Sequence, residues 1–400
     1  MNRQSANRIL APIVVVATVT AGVAIAESDR EERFRERSQQ AEEAGLAEPF
    51  RGVTANGQPL YGLFPIESTG VSTEPVVSAA QAFLSALSAG QRDQTVFPVD
   101  DPEWRKWMNP HFYVRQGVSF EEMDDGQREA AFDLLGASLS AKGLKLTRDI
   151  MHLNHTLGEL RGNNFEEFGE GFYWMTVMGE PSAAEPWGWQ LDGHHAVINY
   201  FVLGDQVVMS PAFFGSEPVA AVHGKYAGTE VLQAEQDRGL AMLQSLTQAQ
   251  RQMAVIEVSK EGNNNLGEAF RDNIELDNIG IPGALLDNKQ RAELRALIAL
   301  YVGNLRDGHA EVKIEEVEAH LDQTYFAWIG GAAADSVYYY RIFSPVILIE
   351  FDHQKPANLR DLYPPKPNRQ HIHTVIRTPN GNDYGKDLLR QHYEHHPHVD

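Results

Sequence analysis

The sequence predicts an α+β fold, with a largely antiparallel sheet and helices packed on it, in a single large domain. Segments of strand character and helical character fall into separate blocks and do not alternate regularly, as a doubly wound parallel sheet would require. Short turns at Gly204-Asp205 and Ser344-Pro345 each separate two apolar runs, which is typical of antiparallel hairpins. With 42% hydrophobic and 22% charged side chains, the 400 residues can bury a sizeable core.

Helices are predicted where apolar residues recur at helical spacing behind capping signals. The predicted helices cover 79–88 with a stop at Gly90, the stretch from a Ser119/Glu122 capping box towards Ser140, 230–243 behind Thr229, 248–257 behind Thr247 and Gln250, 288–305 behind Asp287, 313–323 and 384–393.

Strands are predicted where β-branched and aromatic residues form short runs between turn residues. These runs are 172–178, 195–203, 206–213, 337–343, 346–353 and 372–378. The segment Pro186-Trp187-Gly188-Trp189 is predicted to be a loop, placed so that it could line a cleft beside His194.

The N-terminus has the pattern of a secretory signal peptide over residues 1–26. Arg3 and Arg8 precede an apolar run, which closes with small residues at Ala24 and Ala26. The run is short for a membrane helix, which needs about 20 residues, so a retained anchor is the weaker alternative. The pattern therefore predicts a periplasmic or secreted protein that has no membrane contact beyond this segment. Residues 27–74 are predicted to be a charged tether and an irregular lead-in to a domain over 75–396.

Composition excludes several classes of function. The chain has 34 Lys and Arg against 55 Asp and Glu, and its net charge of −21 disfavours nucleic acid as a partner. It has no cysteine, which excludes disulfides, thiolate metal sites and a cysteine nucleophile. The sequence also lacks the motifs of phosphate-binding loops, dinucleotide folds, zinc proteases of the H-E-x-x-H type and serine-hydrolase elbows. Histidine and carboxylate remain for chemistry.

The pair His371 and His373 is the sharpest candidate for a metal site. Alternate residues of a strand share one face, so both imidazoles project together from positions about 7 Å apart. Such a pair suits two ligands of one metal ion, although two histidines satisfied within the core would show the same spacing. Arg377 continues this face of the predicted strand.

The adjacent residues His194 and His195 are the second candidate. In a strand they would point to opposite faces, so a single ligand is expected from the pair. His195 is favoured because Asn199 gives its face a polar partner. A structural histidine beside a turn is the alternative.

Carboxylates supply two further candidates. Asp352, at the end of an apolar strand, could join His371 and His373 in a set of two histidines and one carboxylate. It could instead pair with Arg377 or Arg341, because a buried carboxylate needs a cation or strong hydrogen bonds. His155 and Glu159 are four residues apart with His152 one turn earlier, a spacing that suits either a ligand pair or an ordinary polar helix face.

Several longer motifs carry a family resemblance as a set. They are Pro186–His195, Ser344–His353, His371–Arg377 and Asn382–Gly385. Together they resemble the bacterial family known as domain of unknown function 3500, over about residues 75–396. The resemblance implies that this range is one unit, and it brings no established reaction. The residues that match the family's pattern are His194, His195, His353, His371, His373 and Asp383.

These observations lead to the hypothesis of an exported metal-dependent hydrolase. His371 and His373 are expected to hold a divalent metal, zinc before copper or iron, with His195 and either His155 or Asp352 completing the set. A zinc ion with one open position lowers the pKa of its water towards about 7.

Supporting roles and alternatives follow from the same residues. Asp352 or Glu159 is expected to act as general base or to orient a ligand, and Arg377 to stabilise developing negative charge. The substrate is a small molecule or a polymer. The alternatives are a copper- or iron-dependent oxidoreductase on the same histidines and a non-catalytic periplasmic protein that binds a metal or another ligand.

Overall fold

A computed structural model describes the backbone of residues 15–396 and the side chains from residue 30 onwards. This part of the chain forms ten α-helices and one sheet of thirteen strands, so the predicted α+β class and the single domain are confirmed. The first fourteen residues of the predicted signal peptide lie outside the described residues. Within the described part, no helix combines the length and the apolar character needed to span a bilayer.

The helices differ widely in length. They are α1 (Val15–Gly45), α2 (Glu74–Ala86), α3 (Ala89–Thr95), α4 (Asp125–Ser138), α5 (Ala141–Leu160), α6 (Gln233–Ser245), α7 (Gln248–Ala254), α8 (Asn288–Val302), α9 (Asp307–Ala319) and α10 (Lys386–His395). Short 3-10 turns lie at Pro102–Arg105, Gly283–Leu285, Leu321–Gln323 and Asp383–Gly385.

The strands are β1 (Val96–Phe97), β2 (Val118–Ser119), β3 (Tyr173–Met178), β4 (Trp187–Gly193), β5 (Ala196–Leu203), β6 (Gln206–Val208), β7 (Ala212–Ser216), β8 (Val255–Glu257), β9 (Ile281–Pro282), β10 (Tyr325–Gly330), β11 (Tyr338–Phe343), β12 (Leu348–His353) and β13 (Ile372–Arg377). Their order in the sheet is β1-β3-β4-β5-β7-β13-β12-β11-β10-β8. Among the described strands of this sheet, the parallel pairs are β1–β3 and β8–β10.

The centre of the sheet joins two antiparallel meanders. β3, β4 and β5 form one and β10 to β13 the other, and β7 pairs with both β5 and β13. Every residue of β4, β5, β7, β12 and β13 is buried, so the polar side chains on these strands are enclosed. A buried polar side chain needs a partner, and the central strands therefore carry the buried histidines and carboxylates.

Two predicted helix starts are confirmed and two are displaced, one of them the start behind Thr229, since α6 begins at Gln233 with Leu232 at its N-cap position. Capping boxes at Thr247/Gln250 and Asp287/Gln290 begin α7 and α8. Ser119 and Glu122 form their reciprocal bonds, yet α4 begins later, behind a second box at Asp124 and Gln127. The predicted stop at Gly90 is wrong, because Ser88 and Gln91 form a further capping box that starts α3 across it.

The predicted loop at Pro186–Trp189 is wrong as well, since Trp187 to Gly193 form the buried strand β4. Trp189 stacks on Tyr200 of β5, with ring centroids 5.1 Å apart and planes 10° from parallel. A Cβ on Gly188 would lie 2.2 Å from the carbonyl oxygen of Tyr200, so this glycine allows close strand packing here.

The charged segment after residue 27 is helical and lies against the domain. The buried Ser38 hydroxyl accepts a hydrogen bond from the Val114 N–H, and Glu42 accepts one from the Tyr113 hydroxyl. Val53, further along the lead-in, packs in an apolar cluster with Leu276, Phe343 and Leu348. Residues 27–74 thus share contacts with the body of the fold.

Candidate metal centre

Three imidazoles from distant parts of the chain converge in the middle of the sheet. The Nε2 atom of His371 lies 2.9 Å from that of His373 and 3.3 Å from that of His195, and the remaining distance, from His195 to His373, is 3.2 Å. All three side chains are buried. In the described part of the chain, this is the one group of three or more potential ligands whose atoms lie within 4.8 Å of one another.

The sheet register explains this convergence. His195 lies in the two-residue turn between β4 and β5, with a backbone φ of 66°. Its carbonyl accepts a hydrogen bond from the Gly215 N–H in β7, and Gly215 is paired with His373 in β13. Gly215 therefore lies between the two histidines, and a Cβ there would be 3.1 Å from the Cδ2 atom of each. The missing side chain is what allows the two rings to meet.

Hydrogen bonds on the opposite ring nitrogens set the tautomers. The Nδ1 of His371 lies 2.7 Å from the Lys355 carbonyl, which can only accept, so this nitrogen carries the proton. The Nδ1 of His373 lies 2.7 Å from Oε1 of Glu268 and is likewise placed to donate. Both Nε2 atoms therefore present lone pairs to each other at 2.9 Å, which is repulsive unless a cation lies between them.

Burial keeps these imidazoles neutral. It lowers the pKa of His195 and of His373 well below 6.5, and neighbouring histidines lower both further. Burial also lowers the pKa of His371, against the opposing effect of Glu217. Neutral imidazole is the form that binds a metal, so the group is set up as ligands near neutral pH.

The spacing fits a tetrahedral metal. Zinc–nitrogen bonds of about 2.0–2.1 Å place tetrahedral ligand atoms about 3.3 Å apart. The three observed separations, 2.9, 3.2 and 3.3 Å, lie close to that value. The donor set and its geometry therefore suit zinc, and an all-imidazole set also suits copper.

Two glutamates that the sequence interpretation missed support the ligands. Glu268 accepts from Asn265 and contacts His373, and burial raises its pKa to about 7. Glu217 has a buried carboxylate 3.9 Å from Nδ1 of His371, and three backbone N–H groups of residues 357–359 donate to it. Carboxylates behind metal-binding histidines hold the ring orientation and raise ligand basicity.

Asp352 and Arg377 lie beside the centre and act on a loop. Asp352 forms an ion pair with Lys260 at 2.8 Å and accepts from the Asn264 N–H. Arg377 donates to the carbonyls of Gly267 and Glu268. These two strand side chains therefore anchor the 264–268 loop, which presents Glu268 to His373, and neither belongs to the ligand group.

His194 is a neighbour of the group rather than a member. Its Nδ1 lies 2.7 Å from Oδ1 of Asn154, whose amide nitrogen donates to the Gly169 carbonyl. Its ring stacks on His195 with centroids 4.1 Å apart. The sequence predicts a single ligand from this pair. In the structure, His195 belongs to the three-histidine group, and His194 packs against the ring of His195.

The structure places His155 and Glu159 in a separate network on α5. The His155 ring stacks on Phe165, and its Nε2 lies 3.7 Å from Glu159. Glu159 also accepts from the Lys225 N–H. Of the two interpretations of this spacing, a ligand pair or a polar helix face, the contacts correspond to the polar helix face. His155 is absent from the three-histidine group.

Among the missed residues, Gly215 and Glu217 had a sequence signal and Glu268 had none. Gly215 interrupts an apolar run, and a glycine inside a strand indicates close approach of another group. Glu217 directly follows that strand. Glu268 lies in a turn-rich segment about a hundred positions before its partner, so no local pattern connects the two.

His353, one of the residues in the predicted family pattern, serves the core. The Tyr338 N–H donates to its Nδ1, and its Nε2 contacts Oε1 of Gln236. Burial, with Arg369 nearby, lowers its pKa from 6.5 to about 3. The side chain is therefore neutral in the folded protein throughout the physiological pH range.

This shift predicts acid sensitivity. The unfolded chain binds a proton at this residue below about pH 6.5 and the folded chain does not, so stability falls as pH drops from about 6.5 to 3. The contribution reaches roughly 5 kcal/mol at the acid end. The free energy of unfolding is measured with denaturant at several pH values. As the pH falls, it is expected to decrease less in His353→Gln than in the surface control His223→Gln. Equal slopes in the two variants would contradict the assignment.

Comparison with family models gives one match, to a family described as "Protein of unknown function (DUF3500)", over residues 69–386. The resemblance drawn from the sequence motifs is therefore confirmed, and the matched range contains all three converging histidines. Comparisons with curated proteins and with solved structures find no match.

Proposed function

This chain belongs to the DUF3500 family, and from that premise we propose that it is an exported metal-dependent hydrolase. The observation that carries the proposal is the convergence of three neutral histidines, His195, His371 and His373, at the spacing of a tetrahedral metal. Structural zinc sites use four protein ligands, whereas catalytic sites use three and leave a position for water. In the described residues, no fourth histidine or carboxylate joins the group.

The chain's own residues have separate tasks in this proposal. The three histidines would hold the ion, while Glu268 and the Lys355 carbonyl keep the Nε2 lone pairs directed at it. A zinc ion held this way supplies a water whose pKa falls towards about 7, a nucleophile at neutral pH. Export is supported by the basic, apolar and small-residue pattern of residues 1–26.

Copper is the second candidate metal, and the all-nitrogen ligand set is what favours it. Copper would make the protein an oxidoreductase. The iron set of two histidines and one carboxylate has less support, because Asp352 is engaged by Lys260 and by the 264–268 loop. A non-catalytic metal carrier would use the same ligands and would show no turnover.

The first experiment measures bound metal. Untagged protein is expected to carry about one zinc per chain by elemental analysis, and the double variant His371→Ala/His373→Ala is expected to lose it. The terminal histidines could bind metal adventitiously, so His395→Ala/His396→Ala is the matched control and should retain the metal. Unchanged metal content in the first double variant would remove those residues from the site.

A second measurement separates the enzyme from the carrier. Ester, phosphoester and peptide substrates are incubated with native, chelator-treated and zinc-reloaded protein. The hydrolase proposal expects turnover that is lost with the chelator and restored by zinc. Bound zinc without turnover on any of these classes supports the carrier, and copper with oxygen-dependent turnover supports the oxidoreductase.

A further inference from the structure

A second cleft lies at the far end of β13 from the histidines. Its volume is about 560 Å³, and it opens between residues 50–61, the turn at 100–105 and the start of α10. The histidines lie at the beginning of β13, whereas this cleft begins with Asn380, beyond the strand's last residue. Its volume falls within the range of about 300–1,000 Å³ that small-molecule sites occupy.

The charge of this cleft opposes the charge of the whole protein. Four cationic side chains, Arg51, Arg105, Lys386 and Arg390, line it against two carboxylates, Asp100 and Asp387. The chain as a whole has a net charge of −21. A local excess of positive charge in so acidic a protein favours the binding of anions at this cleft.

Two of the four cations already have carboxylate partners. Arg105 donates to Asp272 at 2.7 Å, and Arg390 donates to Asp387 at 2.6 Å. These two side chains are held in place by their partners, so their charges are largely compensated within the protein.

The other two cations, Arg51 and Lys386, have no carboxylate within ion-pair distance among the described residues. The Arg51 guanidinium donates to the carbonyls of Gly57 and Asn273, and its Nε atom is buried without a hydrogen-bond partner. Lys386 is half-buried and forms no hydrogen bond or ion pair with the described residues. Burial lowers the pKa of Lys386, as does Arg105, while the carboxylates Asp100, Asp101 and Asp272 oppose that effect. A partly buried cation that has no ion pair at close range is available to a ligand that brings a negative charge into contact with it.

We propose that this cleft binds a small molecule through an oxyanion group, a phosphate or a carboxylate, which Arg51 and Lys386 contact. The lining also includes two aromatic rings, Phe50 and the 70% exposed Tyr61, which offer a surface for the remainder of such a ligand. Arginine and lysine are the residues that bind phosphate and carboxylate groups in proteins. The site stands apart from the histidine centre and does not depend on the function proposed for it.

The test uses inorganic phosphate and citrate as probes, each titrated calorimetrically into the full chain at low salt. Saturable binding of either probe is expected, and Lys386→Met is expected to weaken it about tenfold or more. The preference between probes identifies the group, phosphate or carboxylate. Because Lys386 forms no hydrogen bond or close ion pair with the described residues, the variant should remain folded, with an unfolding temperature close to that of the native protein.

Two controls separate this site from other causes. Lys289→Met makes the same change of charge at an exposed position of α8 and should leave the affinity unchanged. His371→Ala/His373→Ala should also bind the probe normally, which distinguishes failure here from failure of the metal centre. The proposal is overturned by absence of saturable binding for both probes, by unchanged affinity in Lys386→Met, or by an equal loss in Lys289→Met.

Discussion

Replacing Arg377 with methionine is expected to lower the free energy of unfolding by at least about 3–5 kcal/mol. Arg377 is fully buried, and one of its nitrogens lies 2.9 Å from Asp272 and 3.0 Å from Asp383. Both carboxylates are themselves buried, so the substitution leaves negative charge inside the fold with too few donors. The same change releases the carbonyls of Gly267 and Glu268.

Denaturant unfolding of the Arg377→Met variant measures this cost. The matched control is Arg341→Met, because Arg341 is also buried in the sheet yet donates to a backbone carbonyl, that of Asp277, rather than to a carboxylate. We expect the free energy of unfolding to fall clearly less in Arg341→Met than in Arg377→Met. Arg377→Lys should recover little of the stability, since one ammonium cannot reproduce the guanidinium fork. Equal losses in the two methionine variants would refute the role assigned to the buried ion pairs.

Replacing Gly215 with alanine is expected to weaken metal binding by about a hundredfold while leaving a folded protein. The added Cβ would lie 3.1 Å from the Cδ2 atoms of His195 and His373 and 2.7 Å from the Ile372 carbonyl oxygen. The rings must move apart, and the strand must shift as well. Overpacking of this kind costs about 1–3 kcal/mol of stability.

Competition with a chelator at a temperature well below unfolding measures the affinity of Gly215→Ala. Gly188→Ala is the matched control: it overpacks another strand glycine, where a Cβ would lie 2.2 Å from the Tyr200 carbonyl oxygen, away from the histidines. It should lose stability and keep its metal. Normal affinity in Gly215→Ala would show that this glycine does not set the ring positions.

The charged residues Asp352 and Arg377 show which features of the site a local sequence pattern can predict. Alternation correctly placed Asp352 and Arg377 on buried strands, near His371 and His373. It could not show that the 264–268 loop lies over that face and takes up their hydrogen bonds. Which face a side chain occupies follows from a period of two, whereas its partner is decided by a segment far away in sequence.

The sequence by itself determined the α+β class, the starts of α7 and α8, most of the central strands, and the likeness to DUF3500. Each of these depends on periodicity, capping or motif within a few neighbouring residues. Only the tertiary structure decided that His195 meets His371 and His373, that Gly215 makes room between them, and that Glu268 supports His373. The reason is that sheet order pairs β5, β7 and β13 across about 180 positions of chain, and contacts at that separation leave no local pattern.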